Sequence, residues 1–242
     1  SFPTRRSSDL TYTDDYVGCD VDLSLGYVYN GNTLDDWFNG IYNLPVPAGG
    51  YDFLQGPEGD GAYMPMTAFT YFGAGSSISD PDLSDYEGTR QFFNLMEGYL
   101  PRPGYPQQEP WTDPTTGEVT NFALSGDPLT GQGWIDGIQL PPGDRRLVMA
   151  SGPFEMNLGD QQTVVLALVG GMGNNAVSSV AVTKFHDKYA QFAYDSNFEL
   201  PVAPATPNVQ VTEFNQEILL DWGYNPASIS ATEDPISLGF EF

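Results

Sequence analysis

The chain has 242 residues, with 32 acidic and 8 basic side chains, one His, one Cys and a net charge of −24. That charge excludes sequence-independent nucleic-acid binding, which needs clustered Lys and Arg to displace counterions, and it opposes docking on an anionic membrane. A content of 40% hydrophobic and 14% aromatic residues excludes a solvated acidic tail, and no apolar run approaches the ~20 residues of a membrane-spanning helix.

Ser1 to Leu10, reading Ser-Phe-Pro-Thr-Arg-Arg-Ser-Ser-Asp-Leu, match the in-frame translation of a short-read sequencing adapter and are set aside from fold reasoning. Without them, 6 basic and 31 acidic residues remain. About 230 residues suffice for one good core, or for one core and a small second domain. A single Cys permits no internal disulfide, so cysteine content does not report the redox compartment. The 27 Gly and 20 Pro punctuate the chain every few residues, which favours short strands and many turns.

Val21, Leu23 and Leu25 alternate with Asp22 and Ser24, and Tyr27 and Tyr29 continue the period of two. This predicts one half-buried strand entering the turn Asn30-Gly31-Asn32. Met66 to Phe72 is a second strand. Asp80-Pro81-Asp82, Ser84 and Asp85 then precede Phe92, Phe93, Leu95, Met96 and Tyr99 at helical spacing. The pattern predicts an amphipathic helix over 86–99, weakened by Gly88 and Gly98 and stopped by Pro101, Pro103 and Pro106. Pro101 to Pro142 reads as long loops.

Arg145 to Ala150 predicts a strand, and Phe154, Met156 and Leu158 another before the turn at Gly159-Asp160. Val164 to Val169 is nearly all apolar, as in a sandwich-core strand, with Gly170, Gly171 and Gly173 breaking it. Ser178 or Ser179 is placed to cap a helix running to about Tyr194, with Val182, Phe185, Tyr189 and Phe192 on one face. Pro201, Pro204 and Pro207 form a stiff linker. Beyond it, Val209 and Val211 alternate, then Ile218, Leu220 and Trp222.

Asp14, Asp15, Asp20 and Asp22 are the densest carboxylate group, with Asp35 and Asp36 close behind. Ca²⁺ takes six to eight hard oxygen ligands, which makes these four the candidate calcium ligands. The competing reading is that they form turns and face solvent, and it carries the greater weight. Asp80-x-Asp82-x-Ser84 lacks the Gly and the Glu of a helix–loop–helix calcium loop, so helix capping is preferred there. His186 lies between Lys184 and Lys188, which favours a surface His over a catalytic or metal-binding one. Cys19 reads as a small buried residue. Trp37, Phe38, Tyr42, Trp111 and Trp134 would stack on sugar rings if exposed, and burial is the preferred reading. With this many acids a glycosidase-type carboxyl pair is available in principle, but sequence does not identify it. Gly170-Gly171-Met172-Gly173 matches no phosphate-cradling pattern.

Two resemblances add to this. The spaced prolines, Val209-Gln210-Val211 and Leu220-Asp221-Trp222 resemble the opening of a fibronectin type III module, an immunoglobulin-like sandwich whose Trp packs between the sheets. Only the start of such a module is expected here. Residues 11 to 201 resemble uncharacterised secreted proteins of marine Bacteroidetes and Marinimicrobia type. The likeness rests on Asp14-Asp15-Tyr16-Val17-Gly18-Cys19-Asp20, Leu25-Gly26-Tyr27-Val28-Tyr29-Asn30-Gly31 and Gly50-Tyr51-Asp52-Phe53-Leu54-Gln55-Gly56-Pro57. It continues in Pro142-Gly143-Asp144-Arg145-Arg146, Ser151-Gly152-Pro153-Phe154 and Leu158-Gly159-Asp160. That group often carries fibronectin type III repeats and a type IX sorting domain, which implies export to the outer surface of a Gram-negative cell and implies no activity.

The expected architecture is therefore mainly β: a β-sandwich-like domain over 11–200 with long loops and two helices, then an incomplete fibronectin-type module from 201 to 242. The expected role is a non-catalytic structural or adhesive module, with calcium as the candidate cofactor. The expected partners are other modules of the same chain and surface or matrix glycans. The alternative is a carbohydrate-binding module or an appendage of a glycoside-acting enzyme.

Overall fold

The computed structural model describes residues 15–30, 44–73, 78–102, 106–138, 141, 143–199 and 210–221. The chain separates into two compact units, Ser1–Phe192 and Ala193–Phe242.

The first unit is mainly β, with short antiparallel sheets and two helices among the described residues. Its largest sheet has the order β1-β2-β3-β10, where β1 is Asp15–Asp20, β2 Leu25–Asn30, β3 Ala48–Gln55 and β10 Val165–Gly171. The single strand expected around Val21 to Tyr29 is a hairpin instead. Val21 to Ser24 form the turn, with the Ser24 amide donating to the Val21 carbonyl and Ser24 at φ 54°. The alternation runs unbroken through a four-residue turn, so the pattern did not reveal the reversal. The strand that the turn creates, β1, has a Val17-Gly18-Cys19 centre too short to read as periodic.

A two-stranded ribbon of β6 (Ala68–Phe72) and β9 (Arg146–Ala150) faces this sheet. Between the layers lie Val17 and Cys19 from β1, Phe69 and Tyr71 from β6, and Trp111, Leu124 and Trp134 from the connecting loops. At Gly26 of β2 the layers approach so closely that a Cβ would sit 2.6 Å from Met149 Sδ and 2.9 Å from Phe69. Helix α1 (Tyr86–Met96) packs on the ribbon, where Thr70 Oγ1 donates to the Leu95 carbonyl (3.0 Å). Covered on both sides, β6 is buried at all five positions.

α1 starts as the sequence indicates, with the Asp85 carboxylate accepting from the Gly88 amide. It ends earlier than Tyr99. Gly98 takes φ 82°, its amide donates to Leu95 O and that of Tyr99 to Asn94 O, which is a Schellman closure. The remaining short strands are β4 (Glu58–Gly59) with β5 (Ala62–Tyr63), and β7 (Trp111–Thr112) with β8 (Val119–Thr120).

Helix α2 (Ala176–Asp195) covers the other face of the four-stranded sheet, over Leu25, Tyr27, Tyr29, Ala48 and Val169. Its cap is Asn175 rather than a serine: Asn175 Oδ1 accepts from the Ser178 amide (2.8 Å), and Ser178 Oγ accepts from the Asn175 amide (2.9 Å). The stripe it buries is Ser179, Val180, Thr183 and Asp187. Val182, Phe185, Tyr189 and Phe192 lie roughly half a helical turn away, and Phe185 is 54% exposed. The aromatic spacing is real, but the polar stripe is the one that fits the sheet. There the Gly171 backbone touches the helix, and a Cβ on Gly171 would lie 2.3 Å from the Thr183 amide nitrogen.

Two further expectations change. β10 is not a strand covered on both faces. Val169 and Gly171 are buried under α2, while Leu166 and Leu168 are exposed, and Gly170 and Gly171 belong to the strand. Phe154, Met156 and Leu158 form no strand and are exposed, because no described neighbour pairs with that backbone.

In the second unit, β11 (Gln210–Phe214) pairs antiparallel with β12 (Glu217–Asp221), opposing Val211 to Leu220. Residues 211–220 are all exposed. Trp222 lies outside the described residues.

Candidate functional site: a buried carboxyl pair under helix α2

β3 is a central strand, and alternation sends Ala48, Gly50 and Asp52 toward α2. Asp52 stands opposite Leu25 of β2 and Ala167 of β10, both apolar. Asp187 of α2 is on the stripe the helix buries. Asp52 is 0% and Asp187 1% exposed.

As two carboxylates these groups would be acceptors without donors. Both Asp52 oxygens and Asp187 Oδ1 are buried and find no donor among the described residues. The hydrogen bond that remains open to them joins Asp52 to Asp187, and it exists only when one of the two carries a proton. Desolvation and the Asp187 charge push Asp52 up to about 8, and the bond to Asp187 acts the same way. Desolvation likewise raises Asp187, to about 6, where the bond from Asp52 opposes the rise and the Asp20 charge adds to it. Both carboxyls are therefore held above the ordinary carboxylate range, and the pair shares one proton. The arrangement stores a proton between strand and helix. With both groups closed off from solvent, it is not a reaction centre open to a substrate.

Beside the pair, Lys184 Nζ reaches Asp20 Oδ2 (2.9 Å) and Asp127 Oδ1 (3.5 Å) and lies 5.5 Å from the Tyr27 ring centroid. Tyr27 itself is buried, with its hydroxyl on the Gly126 carbonyl (3.4 Å), and burial raises its phenol. Along the outer edge of β1, Arg145 makes two hydrogen bonds to Asp136 (3.0 and 3.2 Å), and Asp136 Oδ2 also accepts from the Val17 amide (3.0 Å). Arg145 and Lys184 thus brace loops against β1 and α2.

Of the sequence-derived calcium ligands, Asp14 lies outside the described residues. Asp15 and Asp20 stand at opposite ends of six-residue β1, about 17 Å apart at the usual strand rise, so they do not converge on one ion. Asp20 is paired with Lys184, and Asp22 is exposed in the turn. Among the described residues, no group of three or more His, Cys, Asp or Glu is placed to hold a metal ion.

The remaining candidates have structural partners. Asp82 Oδ1 accepts from the Ser84 amide and hydroxyl, Asp80 pairs with Arg146, and Asp85 caps α1. His186 is exposed on α2, with Nδ1 2.7 Å from the Gly170 carbonyl. Cys19 is buried with Sγ 3.8 Å from the Ala123 carbonyl, and burial pushes its thiol up. Trp111 and Trp134 are buried, their rings 6.0 Å apart; Trp37, Phe38 and Tyr42 lie outside the described residues.

Sequence reasoning missed Asp52 and Asp187. Two signals were present: Asp52 interrupts the otherwise uncharged strand Ala48–Gln55, and Asp187 shares a helical stripe with Val180 and Thr183. Their 135-residue separation hid the link between them. Compared with models of protein families, with curated proteins and with solved structures, the chain matches none.

Proposed function

We propose that this chain is a non-catalytic structural or adhesive module of a large secreted or cell-surface bacterial protein. The observation that carries the reading is how its reactive groups are used. The carboxyl pair is sealed beneath α2, Cys19 is buried, and Arg145 and Lys184 are committed to ion pairs. A surface with this excess of acid keeps such a module dispersed by self-repulsion. No helix among the described residues is long and apolar enough to cross a membrane. The antiparallel pairing of β11 with β12 supports reading the second unit as the opening of a fibronectin-type module.

The test is to incubate the purified protein with chromogenic glycosides and with polymeric glycans. No turnover is expected. Hydrolysis that disappears in Asp52→Asn or Asp187→Asn would replace this reading with an enzymatic one. Calcium belongs to the proposal as a counter-charge to the acidic surface. Millimolar Ca²⁺ is expected to raise the melting temperature more than NaCl of matched ionic strength, and equal effects would remove calcium from the account.

A further inference from the structure

The carboxyl pair does more than fill space, because it spans two elements. Asp52 belongs to the central strand of the sheet, and Asp187 to the helix that covers it. Two other bonds from α2 are dipolar and independent of pH: Gln191 Nε2 donates to the Leu54 carbonyl of β3 (3.3 Å) and Ser179 Oγ to the carbonyl of Val46, just before β3 (2.7 Å). Two more involve charged or ionisable groups: Lys184 pairs with Asp20 of β1, and His186 Nδ1 lies 2.7 Å from the Gly170 carbonyl of β10. The pair depends on a proton, since both Asp52 oxygens and Asp187 Oδ1 are buried with no other donor among the described residues.

The surroundings offer no substitute. β1 presents Tyr16 and Asp20, β2 presents Tyr27 and Tyr29, the loop beyond Leu124 presents Asp127, and β10 carries no ionisable side chain. The positive charge from α2, Lys184, is held by Asp20 and Asp127, and Lys188 is exposed. If both carboxyls ionise, two negative charges face each other in an apolar layer with Asp20 adding a third, and the strain falls on the docking of α2.

We propose that Asp52 and Asp187 form a proton clasp, in which one shared proton holds α2 to the sheet and its release to solvent as pH rises loosens the helix. The native state then binds a proton that the unfolded chain has already given up. Stability attributable to the pair is therefore complete in acid and declines as pH rises from the ordinary carboxyl range, near 4, through the range in which the folded pair ionises.

The experiment uses the full chain. Melting temperature is followed from pH 5 to 9 for wild type, Asp52→Asn, and Asp22→Asn as a control on an exposed carboxyl. In Asp52→Asn the amide donates to Asp187 in place of the shared proton and does not titrate. The wild-type melting temperature is expected to fall across this range, Asp22→Asn to follow it, and Asp52→Asn to lose at least half of the slope. An Asp52→Asn slope equal to wild type overturns the clasp. Should that variant fail to fold, aspartate ¹³Cγ NMR on the wild type decides. A carboxyl titrating at least two pH units above the ordinary range supports the clasp, and all aspartates titrating near 4 overturn it.

Discussion

Arg145 shows how much a single side chain carries in so acidic a molecule. Its guanidinium grips Asp136 with two bonds, and both side chains are almost fully buried, at 5% and 1% exposure. Removing one partner strands the other charge, so Arg145→Ala is expected to cost about 3–5 kcal/mol of unfolding free energy, read by urea denaturation. Arg145→Lys keeps the charge and loses the fork, and should recover only part of that loss. At Cys19 burial keeps the thiol protonated, so the native protein is expected to resist thiol reagents at pH 8 and to react fully once denatured. Prompt labelling of the native state would show that Cys19 is open to solvent. For the residues that the sequence singled out, the local chemistry of Asp85 was legible, because a cap acts within three positions. Asp52 was not, because a carboxyl in a strand reads as solvent-facing until the element above it is known.

Among the elements, α2 and β10 are held together by an absence of side chain. Gly171 lets the helix backbone rest on the strand. Gly171→Val is expected to cost about 1–3 kcal/mol by overpacking, with amide exchange in α2 accelerated well before that in β2 and β3. Uniform acceleration across the first unit would mean that the contact is not local to the helix. Gly98 closes α1 at a positive φ, so Gly98→Ala is expected to cost about 1–2 kcal/mol, measured by the same denaturation. Elements with strong local signals were legible: β6, β9 and the start of α1 fall within a residue or two of expectation. The buried face of α2 was not. Its aromatic stripe has the greater hydrophobicity, but the close approach at Gly171 admits the small polar stripe of Ser179 and Thr183. β10 misled for the same reason. Six apolar residues in a row look covered on both sides, and only one face is.

At the scale of the whole molecule, charge and layering set the behaviour. The descending stability of the carboxyl pair with pH acts in the same direction as the self-repulsion of a chain at −24, and salt separates them: added NaCl relieves surface repulsion and leaves a buried pair nearly unscreened. The β11–β12 hairpin, exposed along its length, is expected to exchange its amides far faster than β2 and β3; equal protection would show that it is packed. By itself, the sequence determined the class of the molecule, mainly β with two helices, acidic and turn-rich, because composition, turn residues and caps act locally. Tertiary structure alone decided which face of α2 is inside, that Val21 to Ser24 reverse the chain, and that Asp52 meets Asp187. The first and last depend on free energy gained between residues far apart in the chain, which no local pattern encodes; the reversal is local, but the hydrophobic alternation runs through it unbroken and hides it.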